Sequence, residues 1–188
     1  MMSSVTAPTL IVIDVQHSFD DPSWGARNNP SAEANVARAI AAWREHGAPV
    51  IHVRHVNPDH GTLFSPGTPH VEFKPEAVPL DGEPVITKDV NSAFIGTDLE
   101  QRLRSASVDS VAIVGLTTDH CVSTTTRMAG NLGFETWLLE DATATFERTG
   151  IDGEPLSADL MHRTALASLN EEFAEVITTD EAIARVAL

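Results

Sequence analysis

Ser110-Val111-Ala112-Ile113-Val114-Gly115-Leu116 is an apolar run that ends in the polar turn Thr117-Thr118-Asp119-His120. Cys121 follows and opens a helix-like stretch from Val122 to Asn131. A short apolar run bounded by a turn reads as a buried strand, and the order strand, tight turn, helix start is the repeating unit of parallel α/β sheets. Cys121 is the only cysteine in 188 residues, and this order sets it in the first turn of a helix. Free backbone N–H groups and the positive end of the helix dipole there lower a thiol pKa and favour thiolate.

The flanking sequence repeats the same unit. Thr9 to Val15 reads as a strand buried on both faces that ends in an acid, Asp14. Ser18 to Pro30 is a loop rich in Asp, Pro, Gly and Asn, and Ser31 caps a helix running to about His46, with Gly47 as its stop. Pro49 to His55 is a second strand. Asn57 to Glu83 is long and irregular, with prolines at 58, 66, 69, 75 and 79, and a loop of that length in a compact domain is often functional. Pro84 to Lys88 is the third strand, Thr97 to Ser105 a helix capped by Thr97, and Phe134 to Leu139 the fifth strand. Ser157 to Asn170 is a helix with Leu160, Met161, Leu166 and Leu169 at its apolar positions, Glu175 to Thr178 the sixth strand, and Asp180 to Ala187 the closing helix.

Apolar strands alternating with helices predict a three-layer, doubly wound α/β fold with a six-stranded parallel sheet and right-handed crossovers. The length predicts one domain over residues 1–188. Ligands of such sheets bind beyond the carboxyl ends of the strands, near a topological switch point.

Composition narrows the function. The net charge is −15 and the pI about 4.7; nucleic acid needs a basic face and is excluded as a partner. No apolar run approaches the ~20 residues that cross a bilayer, and the N-terminus has neither the basic region nor the apolar core of a signal peptide. A single cysteine forms no intrachain disulfide, which fits a cytoplasmic protein. The chain contains no GxGxxG, P-loop, HExxH or GxSxG.

Three reactive groups stand at or beside strand ends: Asp14 after strand one, Lys88 at the end of strand three, and Cys121 after strand four. They are expected to meet at one sheet edge. Asp14 can serve as general base and then general acid, while Lys88 pairs with the carboxylate and steadies the thiolate. Backbone N–H groups of the 116–121 turn are the natural oxyanion donors. Each residue has a plainer role: Cys as a small core residue, Asp as a turn former, Lys as a solvated surface charge. The three together carry the specificity that none has alone.

With these residues in view, the chain resembles the isochorismatase-like cysteine hydrolases. The matching segments are Ile11-Val12-Ile13-Asp14-Val15-Gln16-His17-Ser18-Phe19, Ile86-Thr87-Lys88-Asp89-Val90-Asn91-Ser92-Ala93-Phe94, and Gly115-Leu116-Thr117-Thr118-Asp119-His120-Cys121-Val122. The resemblance runs from Leu10 to about Ile183 and implies an isochorismatase-like, Rossmann-like fold. It also implies a triad of Asp14, Lys88 and Cys121, a cis peptide at Leu116–Thr117, and an oxyanion hole built from the Thr117 and Cys121 N–H groups. Phe19, Phe94 and His120 take pocket-lining positions, and Trp24 and Phe64 are candidates to cover the entrance, with core packing as the competing role. The Pro- and Gly-rich loop points to a subgroup that includes streptothricin hydrolase-like members.

The implied chemistry is cleavage of a C–N bond in a small amide or ureido substrate through a thioester. Two alternatives stay open: vinyl ether hydrolysis of the isochorismatase type, which needs no thiol, and a thiol-based redox or binding protein. One branch of the family carries a metal on an Asp-x-His pattern. Here His52 and His55 lie three apart on a strand and face opposite ways, and Asp59, His60 and His70 lack the spacing, so no metal and no cofactor is expected. Family members are commonly oligomers, and at least a homodimer is expected.

Overall fold

The computed structural model describes residues 7–59 and 61–188. Thr9–Ile13 forms β1, and all five residues are buried, as a strand covered on both faces requires. Four more long strands and one short one follow in chain order: β2 (Val50–His55), β3 (Val85–Lys88), β4 (Ser110–Leu116), β5 (Glu135–Ala144) and, after a small hairpin of β6 (Arg148–Thr149) and β7 (Pro155–Leu156), β8 (Glu175–Ile177). The helices are α1 (Ala32–Glu45), α2 (Leu99–Ser105), α3 (Ser123–Asn131), α4 (Ala158–Leu169) and α5 (Thr179–Val186). The main sheet has six strands in the order β3-β2-β1-β4-β5-β8, and every pairing in it is parallel. β1 and β4 are neighbours, and the chain winds outward from them in opposite directions, so the switch point lies between them.

Side chains alternate across this sheet, and each face has its own apolar layer. Ile11, Ile13, Val111 and Ile113 pack with Leu99, Leu103, Val122, Ala129, Leu166 and Leu169 from α2, α3 and α4 or their starts. Leu10, Val12, Ala112 and Val114 pack on the other face with Val36, Ile40, Trp43, Ala182 and Val186 from α1 and α5. The period of two along each strand therefore sorts one sequence into two cores, giving the expected three layers. No helix among the described residues is long and apolar enough to cross a membrane.

The element boundaries show where local chemistry decides. β1 stops at Ile13, two residues short of the expected end, because Asp14 turns into the left-handed region with φ +48°, a conformation that Asp tolerates better than most residues. β5 runs five residues past Leu139, through Glu140 and Asp141. The Asp141 carboxylate accepts the Thr179 N–H at 2.8 Å, and its carbonyl accepts from Asn29 and Asn35, so these polar residues sit within a strand at little cost. Ser157 caps α4 through Leu160 N–H, and Thr178 with Glu181 forms a capping box on α5. Ser31 stands at the start of α1 without a side-chain cap bond. The 57–83 segment is pinned at Lys74, whose ammonium bonds Glu33 of α1 at 2.8 Å and Asp20 at 2.6 Å.

Gly115 is the tightest point. Its φ is +118°, and a Cβ there would lie 2.0 Å from the Ile13 carbonyl oxygen. Gly133 also has positive φ, +84°, but open space around it. Gly115→Ala is expected to cost about 3 kcal/mol or more, against about 1 kcal/mol for Gly133→Ala, read from urea midpoints of the two variants.

Candidate active site

The carboxyl ends of β1, β2, β3 and β4 bring four side chains to one place. Parallel pairing puts His55 and Lys88, the last residues of β2 and β3, in register with each other. Asp14 follows β1, with its N–H held by Val53 O at 2.9 Å. β4 ends at Leu116, the Leu116–Thr117 peptide bond is cis, and a π-helical turn over Thr118–Val122 carries Cys121 into α3. Thr117 is buried, and its carbonyl accepts the N–H groups of His120 (3.1 Å) and Val122 (3.2 Å). Asp119 anchors the same turn by accepting from the Thr145 hydroxyl and pairing with Arg148 at 3.1 Å.

At the centre stands the Lys88 ammonium. Its Nζ is 2.6 Å from Asp14 Oδ2, 3.0 Å from His55 Nδ1 and 3.3 Å from Cys121 Sγ. Neither the Asp14 nor the Lys88 side chain is exposed, and Cys121 is buried. Asn91 reaches the same sulfur through Nδ2 at 3.7 Å. Asp14 Oδ1 is buried with no hydrogen-bond partner among the described residues, so one carboxylate lone pair is left free beside the thiol. Asp14, His55 and Cys121 place ligand-type atoms within 4.8 Å of one another. The Lys88 ammonium sits among all three, so the positive charge they surround is the lysine's.

Protonation follows from burial. Desolvation pushes the Cys121 thiol up, the Asp14 charge pushes it the same way, and Lys88 opposes both. Burial thus shifts the thiol upward, against the expectation that a helix start lowers it. Desolvation, then the Lys88 charge, lowers the His55 pKa below its ordinary value, which keeps the imidazole neutral.

The other expected pocket residues divide. Phe19, Trp24 and Phe64 gather with Phe146 over Leu116, the last residue of β4. Their ring centroids are 5.1 Å apart for Phe19–Trp24, 5.5 Å for Phe19–Phe64 and 5.4 Å for Trp24–Phe146. Phe64 also lies 4.8 Å from the His55 ring, which joins the aromatic group to the charged centre. Phe94 does not join them; it stacks on Phe134 at 6.1 Å, against the core between the sheet and α2 and α3. His120 precedes Cys121, but its side chain is exposed and faces Asp119 at 3.7 Å. His52 turns away from the site, buried, to bond Glu83 at 2.8 Å. His70 is exposed, and His60 lies outside the described residues.

His55, Asn91, Gln16 and Phe146 belong to the neighbourhood without having been singled out as site residues. His55 had a usable signal: it ends the strand between those of Asp14 and Lys88. Gln16 is buried and accepts the His55 N–H at 2.8 Å through Oε1, while its Nε2 donates to His55 O (3.0 Å) and Val71 O (2.8 Å). It thereby fastens the chain at Val71 to the end of β2 beside Lys88.

Residues 8–181 match the family model described as Isochorismatase domain. The chain belongs to the isochorismatase family of hydrolases. It is 47% identical over 174 residues to the isochorismatase family protein YrdC of Bacillus subtilis (strain 168), covering 93% of each chain. It is 29% identical over 184 residues to the streptothricin hydrolase of Streptomyces noursei, covering 92% of this chain and 72% of that one. Among solved structures, an isochorismatase-family protein from Chromobacterium violaceum ATCC 12472 superposes with a TM-score of 0.95 at 43% identity, over 100% of this chain and 97% of that chain. The six-stranded, all-parallel three-layer fold is the one these hydrolases share.

In this isochorismatase-family hydrolase the Asp14–Lys88 pair is testable by a mutant cycle. Lys88→Met leaves a carboxylate buried without its cation and is expected to cost about 3–5 kcal/mol. Adding Asp14→Asn, which keeps a side chain suited to positive φ but removes the charge, is expected to restore most of that loss. Urea unfolding of the two single variants and the double variant provides the reading.

Proposed function

We propose that the protein is a metal-independent cysteine hydrolase that cleaves a C–N bond of a small amide through a thioester, with Asp14, Lys88 and Cys121 as its triad. The observation that carries this reading is the free, buried Asp14 Oδ1 beside a thiol whose sulfur also meets the Lys88 ammonium. An acceptor without a partner next to a raised thiol is what a proton transfer at the moment of attack requires.

The course follows from that arrangement. Asp14 takes the Cys121 proton as the sulfur attacks the substrate carbonyl carbon. Backbone N–H groups of Thr117 and Cys121 are assigned to the developing oxyanion. The C–N bond breaks as protonated Asp14 gives its proton to the departing amine, leaving a thioester on Cys121. Asp14 then draws a proton from water, the resulting attack releases the carboxylic acid, and the thiol is restored. Lys88 holds the carboxylate and the sulfur in place through its bonds to both. Phe19, Trp24 and Phe64 form the apolar wall for the substrate's remainder, and Phe94 and His120 are given no substrate contact. A lone thiol stays free in a reducing cytoplasm, which suits this chemistry.

Cys121→Ala is expected to lower turnover of a responsive amide by about 10³-fold or more with an unchanged melting temperature. An amide panel with mass-spectrometric capture of acyl adducts on Cys121 tests the thioester directly. An active Cys121→Ala protein would instead favour vinyl ether hydrolysis. No turnover of any amide together with fast peroxide oxidation of Cys121 would favour a redox role.

We also propose that the chain works as a homo-oligomer. The support is the exposure of the apolar residues Val90 and Ile95, which follow β3 and Lys88 in the chain, where a second copy would shield them. Sedimentation velocity should show a species of at least twice the chain mass, and a monomer at micromolar concentration would refute it.

A further inference from the structure

The Lys88 ammonium carries three N–H donors and no acceptor. Three groups surround it within bonding reach: Asp14 Oδ2 at 2.6 Å, His55 Nδ1 at 3.0 Å and Cys121 Sγ at 3.3 Å. With every hydrogen spoken for, each partner has to accept. The carboxylate and the sulfur do so readily. His55 does so only as a neutral ring with its proton on Nε2 and its Nδ1 lone pair turned to Lys88.

The backbone of His55 is fixed for that task. Gln16 bonds both its N–H and its carbonyl, and Gln16 N–H in turn donates to Asp14 O at 2.9 Å. The Phe64 ring covers the imidazole at 4.8 Å. The charged groups acting on His55 are Lys88 from β3, Asp14 after β1 and Asp89 after β3. Lys88 is the one in direct contact, and an imidazolium 3.0 Å from it would be repelled.

We propose that His55 is a positioning residue: its Nδ1 takes the third Lys88 hydrogen and thereby aims the other two at Asp14 and Cys121. Without that acceptor the ammonium has a buried donor unmet on one side and turns to satisfy it, giving up the long bond to sulfur before the short one to carboxylate. The Cys121 thiolate then loses its nearest positive charge. This inference rests on the assignment of Cys121 as nucleophile and is independent of the substrate.

Alkylation of Cys121 by iodoacetamide reads it without any substrate. The thiolate is the reacting form, so its rate follows the hold of Lys88 on sulfur. At about pH 9 the His55→Leu variant is expected to alkylate about tenfold more slowly than wild type, one unit of thiol pKa. His55→Asn places an amide oxygen near the position of Nδ1 and should recover the wild-type rate to within about twofold. Combining His55→Leu with Lys88→Met should be no slower than Lys88→Met alone, because both act through one contact. Wild-type rates in His55→Leu, no rescue by Asn, or additive losses in the double variant would overturn the proposal. Should the leucine variant fail to fold, nitrogen NMR of the labelled wild-type protein decides: a neutral ring protonated on Nε2 is expected near neutral pH, and a proton on Nδ1 would overturn the assignment. An inactive amide panel would sink the proposed reaction and leave these readings intact. An active amidase with unaltered alkylation in His55→Leu would sink this inference alone.

Discussion

Two opposite charges closed off from water, Asp14 and Lys88 at 2.6 Å, set the terms for the whole site. Each would be costly to bury alone. Their attraction, with the acceptors His55 and Cys121 completing the lysine's shell, makes the burial tolerable. The same closure determines the state of the sulfur. Loss of water and a carboxylate neighbour both favour the protonated form of the sulfur, with Lys88 opposing them. Among the described residues Asp14 Oδ1 is left without a partner by the same closure, and a site open to solvent would have neither the raised thiol nor the unmet lone pair.

The fold supplies the convergence. Because all six strands run the same way, their carboxyl ends share one edge, and residues distant in sequence arrive together there. β1 and β4 flank the switch point, and the segments that follow them bring Asp14 and Cys121 within 4.8 Å of each other. Gly115 permits this closeness: β4 comes so near to β1 that a methyl group would overlap the Ile13 carbonyl. Positive φ at Asp14 performs the complementary step, ending β1 and turning the carboxylate toward Lys88.

Much of this was legible in the residues. Apolar runs fixed the six strands and their order of appearance, and β4 ends at Leu116 as its composition indicated. Asp14, Lys88 and Cys121 could be placed at one edge because strand ends are a property of pattern. What pattern could not reach depends on neighbours brought from afar. Glu140 and Asp141 looked like the end of a strand, yet β5 continues, since Asn29, Asn35 and Thr179 absorb their polarity. The two-residue strands β6 and β7 are too short to show any period. Phe94 shares a motif with Lys88, but the turn after β3 sends it down to Phe134. The thiol's protonation depended on burial, which no local reading measures, and the importance of His55 on the strand order β3-β2-β1.

Gln16 joins two things that are usually separate. By bonding His55 on one side and Val71 on the other, it ties the end of β2 beside Lys88 to the long segment that follows. Residues 57–59 and 61–70 precede the Val71 anchor, and Phe64 among them packs on the His55 ring. The partners of Gln16 are backbone atoms of His55 and Val71, so a change of side chain in that stretch leaves the tie itself in place, and composition there is free to vary without loosening the end of β2.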